Sequence, residues 1–355
     1  LQNDFNGAFT VSYEADLFGR VRRQAEAATA GAAQAQADFE NTRLVLEAEL
    51  AADYFALRAT DAETDILQRT LTAQGKVLDF IATRHELGAA SALDLEQQQA
   101  LVAATRTQLS LLADQRSRYE HAIATLVGKP APDFHLPAVP TLVAVPAIPL
   151  AAPAELLQRR PDIAAAERAM AAANAQIGVA RSAFFPAVML SGQYGSDSNQ
   201  LAHLFSAPSL LWGLGIGASQ TLFDAGRTRA TVAFAEAGYQ QAVASYRQTV
   251  LVAMQEVQDG LSSSAHLGQA LASARSAADS SSRALALSSD RYAVGVANQL
   301  ELLLAETNFL NYQRQFVQLQ GQQLVNGVRL VKALGGGWRV EGSGAAKSAE
   351  VAKLP

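Results

Sequence analysis

Cysteine is absent from all 355 residues, which excludes disulfides, thiolate metal ligands and a cysteine nucleophile within this chain. Charged residues are only 17% of the total and the net charge is −5, so there is no electrostatic footprint for nucleic acid. No apolar run could cross a membrane as a helix. The best candidate, Ala138 to Leu157, is interrupted by Pro140, Pro146, Pro149 and Pro153. The opening residues LQNDFNG are not a signal peptide. The histidines, at 85, 121, 135, 203 and 266, have no metal-ligand spacing. No serine sits in a nucleophile elbow. GLGIG at 213–217 lies in an alternating strand pattern and lacks the last glycine of a dinucleotide fingerprint. Catalysis, metal binding and cofactor binding are therefore not expected. Membrane residence stays open, because strands of a lipid-facing β-barrel escape a hydropathy scan.

Aromatics are also scarce, at 7%, whereas 49% of the chain is apolar. That balance suits long helices better than a compact α/β enzyme. Proline is confined: ten of eleven lie between Pro130 and Pro208. The organisation read from this is a first repeat over 1–129, a proline-rich linker over 130–153, a second repeat over 154–338 and a flexible tail over 339–355.

The halves are repeats because the chain matches itself at a fixed offset. RHELGAASALDL at 84–95 aligns with RYAVGVANQLEL at 291–302, 207 residues later. Arg84, Gly88, Ala90, Leu93 and Leu95 meet Arg291, Gly295, Ala297, Leu300 and Leu302, and Asp94 meets Glu301. The offset continues from Arg20 and Arg227 to Gly128 and Gly335. A period this long indicates duplication of a half-molecule rather than a solenoid.

Each copy reads as a helical hairpin. Val21, Ala25, Ala28, Ala32, Ala35, Phe39, Thr42 and Leu46 recur alternately four and three apart, the 3.5-residue seam of a coiled coil. With no proline from Arg20 to Glu86, one helix of ~60 residues, roughly 90 Å, is expected. Gly88 ends it, and a return helix runs from Ala92 to Leu126. The second copy predicts a helix from Thr228, a break at Gly295 and a return to Leu334. Arg160-Pro161-Asp162 reads as a helix start within a segment 154–183.

Three stretches alternate with period two. In Phe5–Glu14, Phe9, Val11 and Tyr13 face away from Thr10, Ser12 and Glu14. In Leu211–Gln220, Trp212, Leu214, Ile216 and Ala218 face away from three glycines and Ser219. Pro186–Tyr194 is the third, followed by an exposed loop SDSNQLAHLFSAPS. Such strands fit a membrane barrel or a half-exposed soluble sheet equally well. The repeat also creates an expectation upstream of Leu1: one more helix and strand, ~55 residues, to match 151–205. On that expectation these 355 residues alone do not form a conducting pore.

RRPDIAAAERAMAAANAQIGVARSAFFPAVMLSGQYG at 159–195, QTLFDAGRTRA at 220–230 and LVKALGGGW at 330–338 resemble the signature of the TolC-type outer-membrane efflux proteins, especially their NodT-like lipoprotein branch. The resemblance covers residues 5–338 and implies a mainly α chain with a β-barrel part. Three copies would share one twelve-stranded barrel in the outer membrane of a Gram-negative bacterium, in contact with its lipid. Their coiled-coil hairpins would form a periplasmic tunnel. An acylated cysteine, if present, would lie upstream of Leu1. The implied function is the exit duct of a tripartite efflux pump, with a periplasmic adaptor and an inner-membrane pump of the RND type as partners. A type I polypeptide-secretion duct and a soluble coiled-coil scaffold are the alternatives.

In that family the tips meet the adaptor. Here the matching positions are Arg84, Leu87, Gly88, Ala89, Ser91 and Leu93 on the first hairpin, with Val294, Gly295, Val296 and Asn298 on the second. The glycines would admit a partner backbone, and Ser91 and Asn298 would hydrogen-bond to it. The family's aperture pairs a leucine, matched by Leu300, with an acid one turn later, where this chain has Leu304. Glu301 and Glu306 are the nearest acids and face elsewhere. An apolar constriction is therefore expected, with Arg291 and Tyr292 tying the tip to a neighbouring helix.

Overall fold

The computed structural model describes residues 4–143 and 160–336. In chain order these form β1 (Phe5–Ala15), α1 (Arg20–Glu86), α2 (Ala92–Leu126), α3 (Pro161–Ser182), β2 (Ala187–Ser198), β3 (Leu210–Ser219), α4 (Arg227–Ala293) and α5 (Gln299–Ala333). Both long helices have 67 residues and both return helices 35, and every boundary of α1 and α2 recurs 207 residues later. β2 continues four residues past the expected Tyr194, so the loop begins after Ser198 and holds two 3-10 turns. The helix expected from residue 154 is seen from Pro161; 154–159 and the tail 339–355 lie outside the described residues. Among the described residues no helix is long and apolar enough to cross a membrane.

Two compact units are present. One comprises Leu1–Glu40 with Pro161–Leu251, the other Asn41–Arg160 with Val252–Pro355. Each draws on both repeats.

The first unit carries an antiparallel sheet in the order β1-β2-β3. Its register aligns Phe9, Tyr194 and Trp212 in one row, then Val11, Gly192 and Leu214, then Tyr13, Leu190 and Ile216. β1 approaches β2 so closely that a Cβ on Gly195 would lie 2.4 Å from the Gly7 carbonyl oxygen. Beyond the sheet, Phe18 stacks on Phe185 with centroids 4.7 Å apart. Asp16 accepts the Val21 and Arg22 N–H groups at 3.0 and 2.9 Å, and Asp224 accepts that of Thr228 at 2.7 Å. Both carboxylates therefore satisfy free amides at the positive end of a long helix.

The expected seam is bare in this unit. Val21, Ala25, Ala28, Ala32, Ala35 and Phe39 are all exposed, Phe39 at 61%, and α1 instead buries Ala27 and Ala37. The counterparts on α4, from Thr228 through Val232, Ala235, Tyr239 and Ala242 to Tyr246, are half-buried. The same heptad stripe is half-buried in one repeat and exposed in the other.

The second unit packs its helices around Leu67, Leu112 and Leu310. Small residues bring α5 close: a Cβ on Gly321 would sit 2.5 Å from that of Ala59, and one on Gly260 of α4 would sit 3.0 Å from Leu330. A polar network that the sequence does not announce ties residues 135–139 to this unit. Asp61, buried on α1, accepts from Arg116 at 2.7 Å, Arg58 at 2.9 Å and the Val139 N–H at 3.1 Å. Those arginines donate onward at 2.7 Å to the carbonyls of Leu136 and Pro137. Burial pushes the Glu120 carboxyl up, but the Leu136 N–H, His135 and Arg116 outweigh it and hold it below the ordinary glutamate range. The start of the proline-rich segment is thus clamped to the first hairpin.

Replacing Asp61 with Ala strands two arginines and should cost about 3–5 kcal/mol in thermal or denaturant unfolding. Because the Glu120 pKa is lowered, its contribution is complete above the ordinary carboxylate range and lost as pH falls through the lowered value. Unfolding curves of wild type and Glu120→Gln should therefore converge in acid.

Candidate functional sites: an apolar strand face and two glycine-capped tips

The strand rows put large apolar groups on one face. Phe9 and Leu214 are more than 80% exposed, and Val11, Trp212 and Ile216 at least 70%. The opposite face holds Thr10, Gln193 and Gly213, then Ser12, Ser191 and Gly215. A soluble sheet buries its apolar face against a core, whereas this one leaves it uncovered in the chain.

In the second unit both hairpin tips are built by the same backbone device. Gly88 and Gly295 have φ of +74° and +77°, a conformation that glycine adopts without a Cβ penalty. Gly88 N–H donates to the His85 carbonyl at 2.9 Å and Ala89 N–H to that of Arg84 at 2.7 Å. Gly295 and Val296 repeat this onto Tyr292 and Arg291 at 3.0 and 2.9 Å. These are Schellman closures, which satisfy the last carbonyls of a helix. Gly128 and Gly335 close α2 and α5 with positive φ as well.

The side chains expected at the tips divide by role. Leu87, Leu93, Val294 and Val296 are exposed at 77, 65, 74 and 69%, an apolar fringe around both glycines. Ser91 and Asn298 are used within the chain. Ser91 Oγ accepts from the Asp94 N–H at 3.1 Å, and the Asp94 carboxylate accepts the Ser91 N–H at 3.2 Å, completing a capping box, while Asn298 Oδ1 accepts from the Glu301 N–H at 2.9 Å. Both oxygens thus cap the first amides of a return helix within the chain. Arg84 donates to the Ala89 carbonyl at 3.2 Å and lies over the Phe80 ring.

Arg291 likewise stays in its own hairpin, with Nε 3.2 Å from Glu301 Oε1. Tyr292 does reach across, packing edge-on to Phe80 with centroids 6.3 Å apart. Burial pushes its phenol up, the Arg84 guanidinium opposes this and the Asp94 carboxylate adds to it. Phe80 and Asp94 were not legible as its partners, since Phe80 lies outside the repeated motif and Asp94 serves as a cap. Leu300 and Leu304, one turn apart on α5, are half exposed, whereas Glu306 is buried. The acids next to the leucines thus do turn elsewhere.

Ser91→Ala should weaken the first turn of α2 by about 1 kcal/mol. Amide exchange at Leu93 to Leu95 should quicken while the start of α5 stays unchanged; equal exchange would show that Ser91 is no cap.

The family model described as outer membrane efflux protein matches residues 2–129 and 152–336. The toluene efflux pump outer membrane protein TtgF of Pseudomonas putida is 36% identical over 343 residues, covering 95% of this chain and 70% of that protein. Outer membrane protein OprJ of Pseudomonas aeruginosa is 35% identical, covering 94% and 70%. The crystal structure of the outer membrane protein VceC of Vibrio cholerae superposes with a TM-score of 0.86 at 29% identity, over 94% of this chain and 80% of that one. The open-state MtrE outer membrane channel of Neisseria gonorrhoeae gives 0.85 at 29%, over 96% and 81%. By motif, sequence and fold, the chain belongs to the outer membrane efflux protein family.

Proposed function

We propose that this protein is the exit duct of a tripartite efflux pump, a passive conduit in the outer membrane for drugs and related solutes. Three copies would close a barrel from their strands and a periplasmic tunnel from their hairpins, each chain having arisen by duplication of a half-molecule. The observation that carries the assembly is the uncovered α1 stripe from Val21 to Phe39. Its counterpart on α4 is half-buried within the chain, and a second copy is the natural cover for the exposed stripe. The uncovered strand face, with its row of Phe9, Tyr194 and Trp212, suits lipid and its interface.

The apolar fringe at Leu87, Leu93, Val294 and Val296 suits hydrophobic contact with the hairpins of a periplasmic adaptor. Gly88 and Gly295 leave open space where a Cβ would stand, which lets a partner backbone come close. An inner-membrane pump of the RND type would supply the energy, and the duct none. Leu300 and Leu304 form the constriction, which excludes water by apolarity instead of presenting a ring of charge.

The test is a double variant, Gly88→Leu with Gly295→Leu, in cells that depend on this pump. Drug tolerance should fall to that of cells lacking the protein, while the detergent-stable trimer persists. Full tolerance with both leucines in place would contradict tip docking.

A further inference from the structure

Glu306 has no part in the docking or the constriction just described. It lies two residues beyond Leu304 but faces the interior, 7% exposed, and its Oε2 has no hydrogen-bond partner. Its neighbourhood is a layer of buried amides. Gln74 of α1 accepts from Thr105 of α2 at 2.9 Å, and Gln98 of α2 donates to the Gln74 carbonyl at 3.3 Å. Gln299 of α5 donates to Gln98 Oε1, also at 3.3 Å. Gln74 Nε2 and Gln299 Oε1 are left without partners. This layer joins the first hairpin to the return helix of the second.

No cation compensates the carboxyl. Glu306 shares a cavity of about 310 Å³ with Ile66, Arg69 and Thr70 of α1 and with Ser282 and Leu285 of α4. Arg69, the one cation on that wall, is largely exposed and pairs with Asp65 at 2.8 Å. Gln98 faces it from α2, and on α5 Glu301 is engaged by Arg291. Burial pushes the Glu306 carboxyl above the ordinary glutamate range, and a hydrogen bond with Gln98 offsets this only in part. Gln99, its counterpart 207 residues earlier, is exposed and cannot ionise, so the feature belongs to one hairpin alone.

We propose that Glu306 is a proton-controlled latch between the hairpins: its protonated carboxyl fits the closed seam, and its ionisation favours parting α5 from the first hairpin. The sign follows from linkage. An acid whose pKa is raised in the closed seam leaves that seam undisturbed below the ordinary value of 4.5. The seam then weakens as pH climbs from there to the raised value, above which the loss is complete. The latch deepens the reading of the hairpins as a gate, setting when the constriction is free to widen.

The chain lacks cysteine, so one introduced thiol reports opening cleanly. Thr70→Cys places it on α1, where Thr70 is 7% exposed. Its maleimide labelling rate in the purified full chain is measured from pH 5 to 8, in the wild-type background and with Glu306→Gln. At each pH the ratio of the two rates cancels the chemistry of the thiol. The ratio should be smallest at pH 5 and rise with pH, by at most about ten-fold per unit. A second neutral variant, Glu306→Met, should behave like Glu306→Gln and covers failure of either to fold. A ratio that stays constant, or a thiol unlabelled at every pH, overturns the latch. Labelling needs no conduction, so a rising ratio in a protein that does not conduct would uphold the latch and count against the duct.

Discussion

A 67-residue helix is the demand on which the rest of this structure depends. Isolated helices owe little to propensity in water, and most of their stability in proteins comes from packing an apolar face. Along such a length every pair of turns needs a neighbour. In the second unit the chain supplies it, through the Leu67–Leu112–Leu310 core and the close approaches at Ala59–Gly321 and Gly260–Leu330. In the first unit it supplies it in part for α4 and not for the Val21–Phe39 stripe of α1. That helix is complete as an element and incomplete as a packing unit, which is what the proposed assembly of copies would remedy.

The strands pose the same problem in another solvent. Three strands with one apolar face expose edges as well as side chains, and closure with other copies settles both. Small residues make the arrangement possible at close quarters, as at Gly195, where β1 leaves no room for a side chain. The tips invert the logic. There glycine reverses the chain, and the surrounding leucines and valines stay uncovered, as the proposed docking to an adaptor requires.

Much of this was legible in the sequence because periodicity and repetition report on backbone. Proline-free runs marked both hairpins, and Gly88 and Gly295 were identifiable as turns because two copies agreed. Alternation around Phe9, Leu190 and Trp212 marked the strands, though β2 outran its pattern because SDS at 196–198 can pair as strand despite its polarity. Side-chain partnerships were not legible. Ser91 and Asn298 read as partner contacts, and only the structure shows that their oxygens also cap the helix starts. The Asp61–Arg58–Arg116 clamp and the Glu306 layer join residues far apart in the chain, and only packing reveals which polar groups are taken inside. A signal did exist for the layer: Gln74, Gln98 and Glu306 stand on buried helical faces, where an apolar residue is the ordinary choice.

The central claim is that a duct runs through this protein and is narrowed by Leu300 and Leu304. Its most direct test is single-channel conductance in planar bilayers, using the protein extracted from the outer membrane of cells that make it. Small steps are predicted for the unaltered protein, and clearly larger ones when both leucines are replaced by serine. Silence from both, with the detergent-stable trimer confirmed in each sample, would contradict the account.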